Sequence, residues 1–225
     1  MNGTINYSGI KLTEVRIKNF RSLKNIRLDL DWLTILIGEN NSGKTSFLDA
    51  LFASIGAGRH IISANDVFLE KEERKVPKDR EATIDIIIRP TNGDGKLVDT
   101  FSEGSFWLEL WGEGISQDDL ENDFVGIRTQ IKWDSSKGEY VISRHFLKDI
   151  KSGQSWTDSE TKSPISLSQI EPIGLYLLDA KRDIKDELQS HSSFWSKMVS
   201  ELDLDDISID KFEELPFVCS FCSLN

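Results

Sequence analysis

Along residues 11–18 apolar and charged positions alternate, with Leu12, Val15 and Ile17 set among Lys11, Glu14, Arg16 and Lys18. A period of two sends successive side chains to opposite faces, so this stretch predicts a half-buried strand. After the turn Asn19-Phe20-Arg21-Ser22 a second strand is predicted, with Ile26, Leu28 and Leu30 on one side and Arg27 and Asp29 on the other. Leu33-Thr34-Ile35-Leu36-Ile37 is an apolar run of strand length and reads as a strand covered on both faces, as in a parallel or mixed central sheet. A glycine-containing loop follows. Beyond it Phe47, Leu48, Leu51, Phe52 and Ile55 recur at helical spacing, and Gly56 and Gly58 mark the end of that helix.

Residues 56–80 read as a loop with a charged excursion, Lys71-Glu72-Glu73-Arg74-Lys75, expected to be a solvated face. Strand-like pieces follow at 82–89, 105–111, 125–133 and 139–146. The turn Ser135-Ser136-Lys137-Gly138 joins Ile127, Thr129, Ile131 and Trp133 to Tyr140 and Ile142 as a hairpin. An antiparallel β layer over about 80–150 is therefore expected after the first strand–helix unit. Residues 151–163, polar and rich in Ser and Thr, read as an exposed loop. Ile173-Gly174-Leu175-Tyr176-Leu177-Leu178 is a second buried-strand candidate ending at Asp179, and 180–200 reads as a helix. Residues 201–214 are acidic. The tail 215–225 carries no charged side chain.

Composition narrows the picture modestly. The 225 residues are 38% hydrophobic and 29% charged, as in ordinary globular chains. The formal net charge of −11 argues against general coating of nucleic acid, though not against a local basic edge. No apolar run is long enough to span a bilayer, and the polar start, residues 1–9, does not resemble a signal peptide. The cysteines Cys219 and Cys222 are too few for a disulfide scaffold, so a reducing cytoplasm is expected.

The sharpest chemical signal is Gly38-Glu39-Asn40-Asn41-Ser42-Gly43-Lys44-Thr45, which matches G-x-x-x-x-G-K-[ST] between a predicted strand and a predicted helix. Gly38 and Gly43 allow backbone angles that turn successive N–H groups inward, making a nest for phosphate oxygens with Asn40, Asn41, Ser42 and Ser46 around it. The helix N-terminus adds partial positive charge. Lys44 is the point charge for the β- and γ-phosphates, and Thr45 offers a hydroxyl to Mg²⁺. The expected ligand is a nucleoside triphosphate, ATP with Mg²⁺.

Two stretches carry a family resemblance: Val15-Arg16-Ile17-Lys18-Asn19-Phe20-Arg21-Ser22-Leu23, and Leu36 through Leu51 around the loop. Over about residues 11–52 the chain resembles the ABC-type ATPase heads of the RecF and SMC group, and most closely the ATPase domain of OLD-family nucleases. A weaker likeness lies at Tyr176-Leu177-Leu178-Asp179-Ala180-Lys181-Arg182-Asp183. The resemblance implies an α/β P-loop NTPase fold, the N-terminal half of an ABC-type head over residues 1–214, with a mixed central sheet and an inserted antiparallel β layer. It implies that Asn19, Arg21 and Ser22 lie beside the nucleotide, although the bare turn also reads as an ordinary strand ending. It further implies a head-to-head dimer, as a homodimer or with a different head, in which ATP-driven closure positions nucleic acid or a nuclease module.

Several parts of that family pattern are missing from the sequence. No signature motif is found, and Ala180 stands where a Walker B strand would be followed by Glu. Asp179 reads as a Mg²⁺-holding group acting through water, as part of a charged site with Arg182 and Asp183, or as a helix cap. Hydrolysis is accordingly expected to need groups from elsewhere, and the abrupt tail suggests a shortened relative or one half of a split protein. The rival reading is a self-contained compact P-loop NTPase with Asp179 as Walker B, and a third is an interaction module with a vestigial loop. Cys219-x-x-Cys222 offers half a zinc site or simply reduced thiols, and His60, His145 and His191 are scattered. Arg16, Lys18, Arg21, Lys24 and Arg27 either gather as a basic patch near the first turn or form a solvated face.

Overall fold

A computed structural model describes residues 8–56 and 62–175. The chain divides after residue 177, and every described residue lies in the first unit, Met1–Leu177. Its frame is a seven-stranded sheet. The strands are β1 (Gly9–Phe20), β2 (Leu23–Asp29), β3 (Ala82–Thr91), β4 (Ser116–Gln117), β5 (Asp123–Asp134), β6 (Glu139–Leu147) and β7 (Thr161–Pro164). They lie in the order β2-β1-β3-β5-β6-β7, with β4 paired to β5 off that path. Every pairing between these strands is antiparallel. The expected parallel or mixed character is reduced, among the described residues, to a single parallel bridge between Gly56 and Leu175. The expected antiparallel β layer is present in β3, β5 and β6, and it is continuous with the first strands because β3 pairs along β1.

Alternation sorts the two faces of this sheet. Val15 and Ile17 of β1, Ile84 and Ile86 of β3, and Ile127 and Ile131 of β5 are fully buried in the main core. Against that face packs the helix α1 (Lys44–Ile55), through Phe47, Ala50, Leu51, Ala53 and Ile55. The spacing of Leu12 from Val15, which breaks strict alternation, is absorbed by a bulge between Leu12 and Glu14 in the pairing with β3. Arg144 of β6 donates to the carbonyls of Ala53 at 2.7 Å and Ser54 at 3.0 Å, supplying at the end of α1 the cation that its own last turn lacks.

The other face carries Arg16, Asp85 and Arg128 in one cross-strand row. Arg128 and Asp85 form a bidentate pair at 2.7 and 2.8 Å, with Asp85 fully buried. Arg128 also donates to the carbonyls of Trp156, Thr157 and Ser159. That fork holds the 3₁₀ segment Gly153–Asp158 over the sheet, so the stretch 151–163, mostly exposed as expected, is pinned through Trp156 and Ser159 and enters β7.

Two further expectations are corrected. The stretch 105–111 is a short helix, α2 (Phe106–Trp111), because Ser105 caps it by accepting from Leu108 N–H and Trp107 stacks on Trp111 at 4.8 Å, a helical i, i+4 neighbour pair. The run 33–37 joins no ladder with a described strand. Only Leu36 packs on the core, while Leu33, Ile35 and Ile37 are 70%, 63% and 91% exposed. Apolar character says that a segment wants cover but cannot name the strand that supplies it. The basic residues near the first turn also do not form a common patch. Arg16 is buried on Glu14, Arg27 pairs with Glu14, and Lys24 pairs with Glu70. Among the described residues no helix is long and apolar enough to cross a membrane.

Candidate nucleotide-binding site

The loop from Gly38 to Thr45 joins the extended run 33–37 to α1. It turns tightly, with Ser42 N–H donating to Glu39 carbonyl at 3.2 Å and Asn41 at φ 71°. A side chain at either glycine would crowd a neighbouring side chain. A Cβ on Gly38 would lie 2.7 Å from Ser42 Oγ; one on Gly43 would lie 2.7 Å from Leu23 Cδ2, at a left-handed φ of 94°.

Gly43 is the N-cap of α1, so the helix begins with no side-chain cap and with no acidic residue in its first turn. The first N–H groups of a helix have no intrahelical partner and carry the positive end of its dipole. No acidic side chain of the helix's own first turn meets them, an arrangement that accepts an external anion. Lys44 Nζ folds back over the loop to the carbonyls of Gly38 at 2.7 Å and Glu39 at 2.6 Å, with Ser42 Oγ at 3.3 Å. Thr45 is exposed, and its hydroxyl has no hydrogen-bond partner among the described residues. Asn40 is exposed beside it.

The turn between β1 and β2 is brought to this helix by its backbone. Asn19 and Arg21 both take positive φ, at 55° and 47°. Phe68 N–H donates to Asn19 carbonyl at 2.8 Å and Arg21 N–H to Asp66 carbonyl at 3.1 Å, tying the turn to the 3₁₀ segment Ala64–Asp66. Ser22 Oγ then sits 2.8 Å from Ser46 Oγ on α1. The Arg21 guanidinium is an ion-pair bridge, to Asp49 of α1 on one side and to Asp66 at 2.9 Å on the other. Asn19 turns away and donates to Glu81 carbonyl at 3.2 Å, at the entry to β3.

Of the residues singled out from the sequence, Gly38, Asn40, Asn41, Ser42, Gly43, Lys44, Thr45, Ser46 and Ser22 are thus collected around one helix N-terminus. Arg21 braces that helix, and Asn19 braces the turn. Sequence reasoning overlooked Asp49 and Asp66. The first had a faint signal, an acid one turn into a helix facing a basic turn; the second had none. Asp179, Arg182, Asp183, His191, Cys219 and Cys222, like His60, lie outside the described residues. Among the described residues no cluster of His, Cys, Asp and Glu could hold a metal ion by itself.

Residues 10–213 match the family described as AAA ATPase domain. The chain is 42% identical over 50 residues to an ATP/GTP phosphatase of Helicobacter pylori, covering 22% of this chain and 14% of that protein. It is 36% identical over 107 residues to the DNA replication and repair protein RecF of Cronobacter sakazakii, covering 40% of this chain and 29% of that one. It is also 25% identical over 134 residues to the chromosome partition protein Smc of Methanococcus voltae, covering 59% of this chain and 9% of that protein. The chain therefore spans less than a third of the length of each of these relatives. With the family match running over most of its length, and the phosphate loop seated at an uncapped helix N-terminus, the chain belongs to the AAA ATPase domain family.

Proposed function

We propose that this chain binds ATP with Mg²⁺ as part of an ABC-type head of an OLD- or RecF-like protein, acting as a nucleotide switch in a larger assembly for DNA maintenance or phage defence. The observation that carries the nucleotide reading is Lys44 Nζ, held at 2.6–2.7 Å from the Gly38 and Glu39 carbonyls above an uncapped helix start. An ammonium bonded to neutral carbonyls and a hydroxyl of its own loop gains more from a phosphate oxygen, because there the acceptor carries a full opposite charge.

In this reading Lys44 crosses to the β- and γ-phosphates while the N–H groups at Gly43, Lys44, Thr45 and Ser46 hold the phosphate oxygens. The free Thr45 hydroxyl suits a hard cation, and Mg²⁺ bound there would neutralise phosphate charge. Ser22, bonded to Ser46, sets the position of that helix turn. Arg21 holds it through Asp49, so closure around a nucleotide would be felt by the 3₁₀ segment at Asp66. A second head, identical or different, would complete the site.

Calorimetry with ATP and Mg²⁺ on the full chain tests this. Wild type should bind, and Lys44→Ala should lose at least about tenfold in affinity, consistent with loss of a charged hydrogen bond worth roughly 1.5–3 kcal/mol. Binding unchanged in Lys44→Ala would remove the reading. Turnover by the chain alone, abolished in Asp179→Asn, would favour a self-contained NTPase over a head that needs a partner.

A further inference from the structure

Residues within 64–78 line a groove that opens beside the phosphate loop. It is an open groove of about 1150 Å³ that runs from Arg21, Ser22 and Asn41 at the loop to Trp133 and Tyr140 at the tip of the β5–β6 hairpin. Lys71, Arg74, Lys75 and Lys78 line it, all exposed. None of them has an ion-pair partner among the described residues, whereas Lys24 and Arg80 nearby are paired with Glu70 and Glu73. Glu70 and Glu72 also line the groove, so it is not wholly basic, but Glu70 is already matched by Lys24 at 2.5 Å. In a chain of net charge −11, a row of unmatched cations along one groove is a local reversal of sign.

Aromatic side chains interleave with those cations. Trp133 and Tyr140 face each other across the hairpin, ring centres 5.3 Å apart and nearly perpendicular, and Phe68 also lines the groove. Lys78 Nζ rests 4.5 Å from the centre of the Trp133 ring. A mobile ammonium on an aromatic face can move to a phosphate when a base takes its place, since both contacts are electrostatic and the lysine stem is flexible.

From this juxtaposition we propose that the groove binds single-stranded nucleic acid, with phosphates on Lys71, Arg74 and Lys75 and a base stacked on Trp133. Basic tracks with aromatic platforms recognise single strands in this way, because a stacked duplex does not present its base faces. The base of a bound ATP is the competing occupant. A nucleoside needs no row of cations, so the charge of the lining favours a polymer. The inference deepens the nucleic-acid part of the function proposed above and does not depend on ATP binding.

Fluorescence anisotropy of labelled oligo(dT) on the full chain tests it. Wild type should bind at low salt, and Trp133→Ala should weaken binding about tenfold, within the range for one stacked base, with Trp133→Phe largely restoring it. Reversing Lys71, Arg74 and Lys75 to Glu should lower the slope of log affinity against log salt by about 2, at roughly 0.7 per lost phosphate contact. The positions are exposed and unpaired among the described residues, and a thermal melt confirms that this variant folds, so its result holds even if Trp133→Ala misfolds. No binding at low salt, equal binding by all variants, or displacement of oligo(dT) by heparin with no effect of Trp133→Ala would each overturn the proposal. Competition by ATP with Mg²⁺ through Trp133 would overturn it too, by making the groove a nucleoside pocket. An ATP thermal shift on the same preparation reports the nucleotide reading separately.

Discussion

Ser22 Oγ lies 2.8 Å from Ser46 Oγ, so the turn that ends the first strand is fastened to the first turn of the helix that follows the phosphate loop. The contact spans residues far apart in sequence and couples the sheet end to the helix start whose N–H groups would meet phosphate. Around it, Gly43 packs on Leu23 and Arg21 reaches Asp49, so the turn and the helix form one rigid corner.

Ser22→Ala removes that hydrogen bond at an exposed position, where such a bond is worth about 0.5–1.5 kcal/mol. The expected outcome is a thermal midpoint within a few degrees of wild type and ATP affinity lowered by a few-fold in calorimetry. A loss as large as that of Lys44→Ala would instead place Ser22 directly on the nucleotide.

Gly43→Ala is expected to be far more costly than its size suggests. The φ of 94° disfavours any Cβ by about 1–2 kcal/mol, and the added carbon would come within 2.7 Å of Leu23 Cδ2. Urea denaturation should report destabilisation of at least about 2 kcal/mol. ATP binding should fall with it, because the strained φ lies at the helix start whose N–H groups would meet phosphate.

Asp85 and Arg128 test the scaffold apart from the site. Burial pushes the Asp85 carboxyl up while the Arg128 guanidinium opposes that shift. Removing one partner leaves the other buried and unmatched, so Arg128→Met should cost about 3–5 kcal/mol in urea unfolding. It should also release the carbonyls of Trp156, Thr157 and Ser159, seen as faster proteolysis near 153–158. The double replacement Asp85→Leu with Arg128→Met should recover much of the loss.

Asp118 gives a pH-dependent contribution of definite sign. Its partial burial raises the carboxyl, but the N–H of Asn122, the Arg89 guanidinium at 2.6 Å and the N–H of Leu120 outweigh that and hold it below its ordinary value of 3.8. A depressed folded-state value means that the contribution is present above pH 3.8 and is lost as pH falls through the folded-state value. The urea midpoint of wild type should therefore drop more steeply on acidification below pH 3.8 than that of Asp118→Asn.

The sequence by itself determined the strands β1, β2, β3, β5 and β6, helix α1 and the phosphate loop, because each is written in local terms. Alternation, helical spacing and the fixed offsets of Gly38, Gly43, Lys44 and Thr45 need no distant partner to be read. Where an outcome depended on a neighbour, the tertiary structure decided. Residues 105–111 became a helix through the Ser105 cap and Trp107–Trp111 stacking, and 33–37 stayed outside the described ladder despite its apolar run. Arg21 joined Asp49 and Asp66, separated from it by 28 and 45 positions, and basic residues scattered over 71–78 met Trp133 and Tyr140 in one groove. Local periodicity encodes which face a side chain takes, whereas the identity of what it meets is set only when distant strands pair in register.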